Sequence, residues 1–147
     1  GAAAFFHVLN YIAPANRLAF IDALAARLLP GAWFITDIWN GDAVLRDPPR
    51  CEIRNKTQGA TTVRQAITPT LDVTSGQVTL GYEIDIRHGA SIERFSEDLK
   101  LYIWPSSELI GALRKAGFAK VEFWDYRQFP RHAKPDSWRM WMRAIRQ

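Results

Sequence analysis

Cysteine is almost absent from this chain: Cys51 is the only one in 147 residues, so no disulfide can close within it. Histidine is scarce too. His7, His88 and His132 lie far apart in sequence, and with a single thiol they give no zinc-ligand spacing, so no metal is expected. No apolar run approaches the roughly 20 residues that a bilayer span requires. Gly1 to Phe6 also lacks the basic flank and small-residue cleavage site of a secretory signal, so a soluble, cytoplasmic protein is expected. Repeats and low-complexity tracts are missing. What is present, 48% apolar and 23% charged residues, is the composition of one folded domain.

The net charge is +4, which raises the question of a phosphate-rich partner. The basic residues are dispersed until the tail, where Arg127, Arg131, Lys134, Arg139, Arg143 and Arg146 gather. There they alternate with Trp138, Met140 and Met142, the pattern of a partly exposed strand rather than of a nucleic-acid patch.

Two grammars divide the chain. From Phe5 to Ile12 and from Ala32 to Trp39 the residues are continuously apolar, the signature of strands buried on both faces. Between them Leu18, Ile21, Leu24, Ala25 and Leu28 recur at helical spacing, after Pro14 and before Pro30-Gly31, so strand, helix, strand is the opening unit. Residues 42 to 54 turn polar and predict an irregular segment. Then Val78, Leu80, Tyr82, Ile84 and Ile86 alternate with Thr79, Gly81, Glu83, Asp85 and Arg87, the period of an antiparallel strand. Thr62 to Leu71 and Glu93 to Trp104 are its expected partners in a three-stranded meander. A second helix is predicted from Ser106 or Ser107 as cap, through Glu108, to Gly117 as its left-handed stop. Two last strands, Lys120 to Gln128 and Ser137 to Ile145, complete the pattern.

Phe6-His7-Val8-Leu9-Asn10-Tyr11, Leu28-Leu29-Pro30-Gly31-Ala32, and Glu108 running to Ala116-Gly117-Phe118 stand in an order that resembles the second half of a class I S-adenosylmethionine-dependent methyltransferase. The final pair of strands is similar to the antiparallel hairpin closing that family's sheet. The meander resembles the insertion that roofs the acceptor pocket in small-molecule N-methyltransferases. The resemblance implies an α/β fold, a partial Rossmann-like sheet with an inserted antiparallel meander over about residues 60 to 104. It implies methyl transfer to a small-molecule N or O acceptor, with S-adenosylmethionine as the donor to the complete enzyme. The family's Gly-x-Gly turn has no counterpart here, and no acidic residue is placed to bind the ribose. Residues 1 to 147 are therefore expected to be the carboxyl-terminal part of such a domain, inactive alone. The sheet edge left open along Phe5 to Ile12 is expected to drive self-association.

In an α/β sheet, ligands sit at the carboxyl ends of the parallel strands. His7, Asn10 and Tyr11 close the first predicted strand, and Asp37, Trp39 and Asn40 the second. By position His7, Tyr11 and Asp37 are the catalytic candidates, and Asn10, Trp39, Asn40 and Tyr102 the substrate-binding ones. The resemblance adds Phe6 and His7 as cofactor contacts. Each has a plainer role open to it: His7 as a hydrogen-bonded core residue, Asn10 and Tyr11 as strand terminators, Asp37 as a loop cap, Trp39 as core and Asn40-Gly41 as a turn. Tyr102 is either roof or core. A binding or assembly module without catalysis is the rival reading, and a basic nucleic-acid-binding domain the weaker one.

Overall fold

A computed structural model describes all 147 residues. In chain order the elements are β1 (Ala2–Ala4), 3-10 turns at Val8–Tyr11 and Pro14–Asn16, α1 (Arg17–Ala25), β2 (Trp33–Trp39), α2 (Gly41–Arg46) and β3 (Glu52–Gln58). They continue as β4 (Thr61–Asp72), β5 (Gln77–His88), β6 (Ser91–Tyr102), α3 (Ser106–Lys115), β7 (Phe118–Asp125) and β8 (Arg139–Arg146). Residues 1–47 and 102–147 form one compact unit and Pro48–Leu101 another. No helix is long and apolar enough to cross a membrane.

The first unit holds the sheet β1-β2-β8-β7, in which β1 and β2 run parallel and β8 pairs antiparallel with both β2 and β7. This is the expected α/β sheet with its closing hairpin. Strand alternation sorts the side chains: Phe34 and Ile38 of β2 join Met140, Met142 and Ala144 of β8 in one core with Ile21 of α1 and Leu109 and Leu113 of α3. Each fully buried Leu, Ile, Phe or Met side chain here contributes about 1.5–3 kcal/mol. On the opposite face Ile35, Asp37 and Trp39 pair with Arg143, Trp141 and Arg139. Arg17 ties α1 to α3: its Nη1 donates to Glu108 Oε1 at 2.9 Å, its Nη2 to the Ile103 carbonyl at 2.6 Å, and its guanidinium lies over the Trp104 ring.

Several local expectations need correction. Phe5 to Ile12 is not a strand. The strand ends at Ala4, Phe6 and His7 both adopt left-handed backbone (φ 63° and 56°), and a 3-10 turn follows. The cause is nonlocal. The Asp37 carboxylate accepts the His7 backbone N–H at 3.2 Å and Asn10 binds backbone groups 29 and 92 residues away, which holds the chain out of the sheet. The free edge of β1 is therefore three alanines, not the apolar run from Phe5 to Ile12. Residues 42 to 54 are not irregular throughout, because Asn40 Oδ1 accepts the Asp42 N–H and caps α2. Gly41 is required there, since a Cβ would sit 2.4 Å from the Trp104 carbonyl oxygen. Neither Ser106 nor Ser107 caps α3; the Ser106 N–H is taken by the Asp42 carboxylate at 3.1 Å. Gly117 does stop that helix, at φ 86°.

The second unit is a four-stranded antiparallel sheet, β3-β4-β5-β6, one strand more than the predicted meander. Every residue of β3 is exposed, so no burial pattern marks it in the sequence. The alternation of β5 is real, with Val78, Tyr82 and Ile86 opposite Leu71, Ile67 and Val63. Its burial is weaker than expected. Val78 is buried, but Leu80, Tyr82, Ile84 and Ile86 are only half-buried, as are Thr79 and Asp85, while Glu83 and Arg87 are exposed. This unit contains no helix to cover either face of its sheet.

Candidate active site

The carboxyl ends of β1 and β2 bring His7 and Asp37 together. His7 leaves β1 through the left-handed pair and turns its ring back to β2, placing Nδ1 2.7 Å from Asp37 Oδ2. The ring N–H direction at Nδ1 is not aimed at Oδ2, so the contact is close without being an aligned hydrogen bond. The aligned bond is the backbone one, from His7 N–H to Oδ1. Asp37 is almost wholly buried, with 3% of its side chain exposed, and its second partner is Arg139, whose Nη2 lies 3.4 Å from Oδ2. Burial holds the His7 imidazole below its ordinary pKa. Asp37 opposes that effect and Arg139 adds to it. His7 is accordingly neutral at physiological pH and able to accept a proton.

Aromatic rings frame these three groups. Trp39 lies beside the His7 ring, with centroids 6.0 Å apart, and packs on Trp138 at 4.5 Å. Arg139 lies 3.8 Å over the Tyr126 ring, which stacks on Trp141 at 4.9 Å, and Phe5 meets Trp141 edge-on. A cavity of about 380 Å³ opens at Tyr126, Arg127, Trp138 and Arg139, with Ser137 and Asp136 on its wall. A more apolar one of about 470 Å³ is lined by Ile35, Trp124, Phe129, Trp141, Met142 and Arg143.

The other candidates divide. Trp39 joins the aromatic wall. Asn10 is fully buried and bridges Trp39 N–H to the Tyr102 carbonyl, and Asn40 is consumed by the α2 cap and the carbonyls of Pro135 and Ser137. Both act as structural fasteners in this arrangement. Tyr11 is half-exposed on its 3-10 turn, and Phe6 is 84% exposed. Tyr102 enters through its backbone carbonyl. Sequence reasoning missed Arg139, Tyr126, Trp138 and Trp141 as site residues. Their signal was the alternation of Arg139, Trp141 and Arg143 along β8, legible only once the register places Trp141 opposite Asp37.

No protein-family profile matches the sequence, and no curated protein matches it. Solved structures do. An S-adenosylmethionine-dependent methyltransferase from Clostridium acetobutylicum aligns with 98% of this chain at a TM-score of 0.76 and 15% identity, over 56% of its own length. The amino pentose methyltransferase CalS10 from Micromonospora echinaspora aligns with 99% at 0.75 and 17% identity, over 58% of its length. The sugar N-methyltransferase KedS8 from Streptoalloteichus aligns with 99% at 0.74 and 17% identity, over 56% of its length. The fold is that of these methyltransferases. At such identities the likeness is one of architecture, and the chain spans rather more than half of each of these three methyltransferases.

Proposed function

We propose that this chain is the acceptor-side portion of an S-adenosylmethionine-dependent methyltransferase that modifies a nitrogen or oxygen of a small, polyhydroxylated molecule. The observation that carries the reading is the His7–Asp37 pair at the carboxyl ends of the parallel strands, beside an aromatic wall. Aromatic faces with interspersed hydrogen-bonding groups suit a sugar-like acceptor, and two of the structural neighbours are described as sugar or amino pentose methyltransferases.

The residues present do not by themselves form a cradle for the donor. Phe6 projects into solvent, no Gly-x-Gly turn exists, and the Asp37 carboxylate is occupied by His7 and Arg139. When bound to the complete enzyme, S-adenosylmethionine supplies an electrophilic methyl group. This chain's share is to position the acceptor, exclude water through Trp39, Trp138 and Trp141, and receive the acceptor's proton at His7 Nε2. Asp37 holds the His7 backbone in its left-handed turn and stabilises the imidazolium formed on proton transfer.

The deciding experiment is methyl transfer by the full-length polypeptide carrying these residues, with isotopically labelled donor and a panel of amino sugars and hydroxylated analogues. Label transferred to none of them, by a folded protein that binds the donor, would refute the acceptor class. Residues 1 to 147 alone are expected to bind S-adenosylmethionine with a Kd weaker than about 1 mM, that is, with less than about 4 kcal/mol. Calorimetry giving micromolar affinity for this chain would show that the missing cradle is not needed.

A further inference from the structure

We propose that Arg139 is a positioning residue for the reaction, one that competes with His7 for the Asp37 carboxylate and so, together with burial, favours the uncharged imidazole with its Nε2 lone pair free. This deepens the functional reading above, on which its catalytic consequence rests.

The geometry is a line of three groups. Asp37 Oδ2 lies 2.7 Å from His7 Nδ1 and 3.4 Å from Arg139 Nη2, so a single oxygen faces both side chains. If His7 were protonated, two cations would share one buried carboxylate. With His7 neutral, Arg139 alone balances Asp37, and the imidazole proton is best placed on Nδ1, because a lone pair there would lie 2.7 Å from the negative Oδ2; this leaves Nε2 as the acceptor. Arg139 is also held in place. Its guanidinium lies on the Tyr126 ring, that ring stacks on Trp141, and the Arg139 carbonyl accepts the Tyr126 N–H at 3.1 Å. A clamped planar cation of this kind keeps its geometry as the neighbouring imidazole changes charge.

The groups facing His7 are few. Asp37 from β2 favours its charged form and Arg139 from β8 opposes it, while Trp39 from β2 presents a neutral ring. The 3-10 turn that follows, Val8–Tyr11, contains no acidic or basic residue. Burial, the largest influence on His7, acts in the same direction as Arg139. Removing the arginine charge should therefore raise the His7 midpoint, and removing the Asp37 charge should lower it.

Imidazole titration by nuclear magnetic resonance on this chain tests the idea without substrate or donor. Three histidines give three resonances to follow, and His88 and His132 serve as internal controls. In R139M the His7 midpoint should rise while the two controls stay in place, and R139K, which keeps the charge, should restore most of the wild-type value. Tyr126→Leu leaves the charge but removes its clamp, and should move the midpoint in the same direction by less; it serves as the second variant if R139M does not fold. In the full-length protein the acid limb of kcat/KM should move to higher pH in R139M together with the titration. A His7 midpoint unchanged in folded R139M or Y126L would overturn the proposal. A midpoint that rises in a protein with no transferase activity would leave the electrostatic assignment standing and count against the functional reading instead.

Discussion

Replacing His7 by Asn is expected to lower kcat by about 10²–10⁴-fold, the range in which a positioned general base contributes, with little change in KM and a folded protein. Asn is the informative substitution because position 7 has φ 56°, a left-handed conformation that Asn tolerates and that most other residues occupy only under strain. Ala would remove the base and strain the turn together. The Asn side chain keeps a polar group near Asp37 but cannot take a proton at neutral pH, so chemistry and architecture are separated. Steady-state kinetics of the complete enzyme at saturating donor, alongside a thermal melt, make the comparison. Activity within about threefold of wild type, less than 1 kcal/mol of barrier, would remove His7 from the proton-transfer role.

The same residue fixes the expected pH behaviour. The folded-state value of His7 is depressed by burial, so the neutral, proton-accepting form persists below the ordinary midpoint of about 6.5. The acid limb of kcat/KM should accordingly lie below that pH, and Asp37→Asn, by removing the influence that raises the His7 value, should displace what remains of it further down. Folding stability follows the same sign. A depressed histidine contributes stability that is fully present above its unfolded value and is lost as pH falls through the lower folded value.

The elements legible in sequence were those whose burial has a period. β2 is a continuous apolar run between turn signals, β5 alternates over nearly its whole length, and α3 ends at a glycine with positive φ. Elements held by contacts distant in sequence were not legible. Phe5 to Ile12 is as apolar as β2, yet its course is decided by Asp37, 30 residues on, and by the Tyr102 carbonyl, 92 residues beyond Asn10. β3 carries no pattern because nothing buries it. The site divides the same way. His7 and Asp37 were legible as polar residues on apolar segments, and the fold brings them together at the carboxyl ends of the two parallel strands β1 and β2. Arg139 could not be found, since its relation to Asp37 spans 102 residues and depends on the antiparallel register of β8 against β2.

Asn10→Ala is expected to destabilise the fold by about 2–4 kcal/mol, from two hydrogen bonds lost and two backbone groups left without partners. Asn10 has no exposed surface; its Nδ2 donates to the Tyr102 carbonyl at 3.0 Å and its Oδ1 accepts the Trp39 N–H at 3.1 Å. Alanine satisfies neither, and at a position with no exposed surface the Tyr102 carbonyl and the Trp39 N–H lose their partner away from solvent. Asn10→Asp should be worse at neutral pH than its small change in shape suggests, because a second carboxylate oxygen then faces the Tyr102 carbonyl and a charge is buried without a partner. Protonation supplies the missing donor, so the folded state raises the pKa of that aspartate and the penalty should shrink as pH falls through it. Urea unfolding at two pH values reads both effects, as a lower midpoint with an unchanged slope. The substrate-binding role first assigned to Asn10 makes the opposite forecast, a raised KM at unaltered stability. If Asn10→Ala unfolds at the wild-type urea midpoint while its KM rises, Asn10 belongs to the acceptor pocket and the fastener assignment fails.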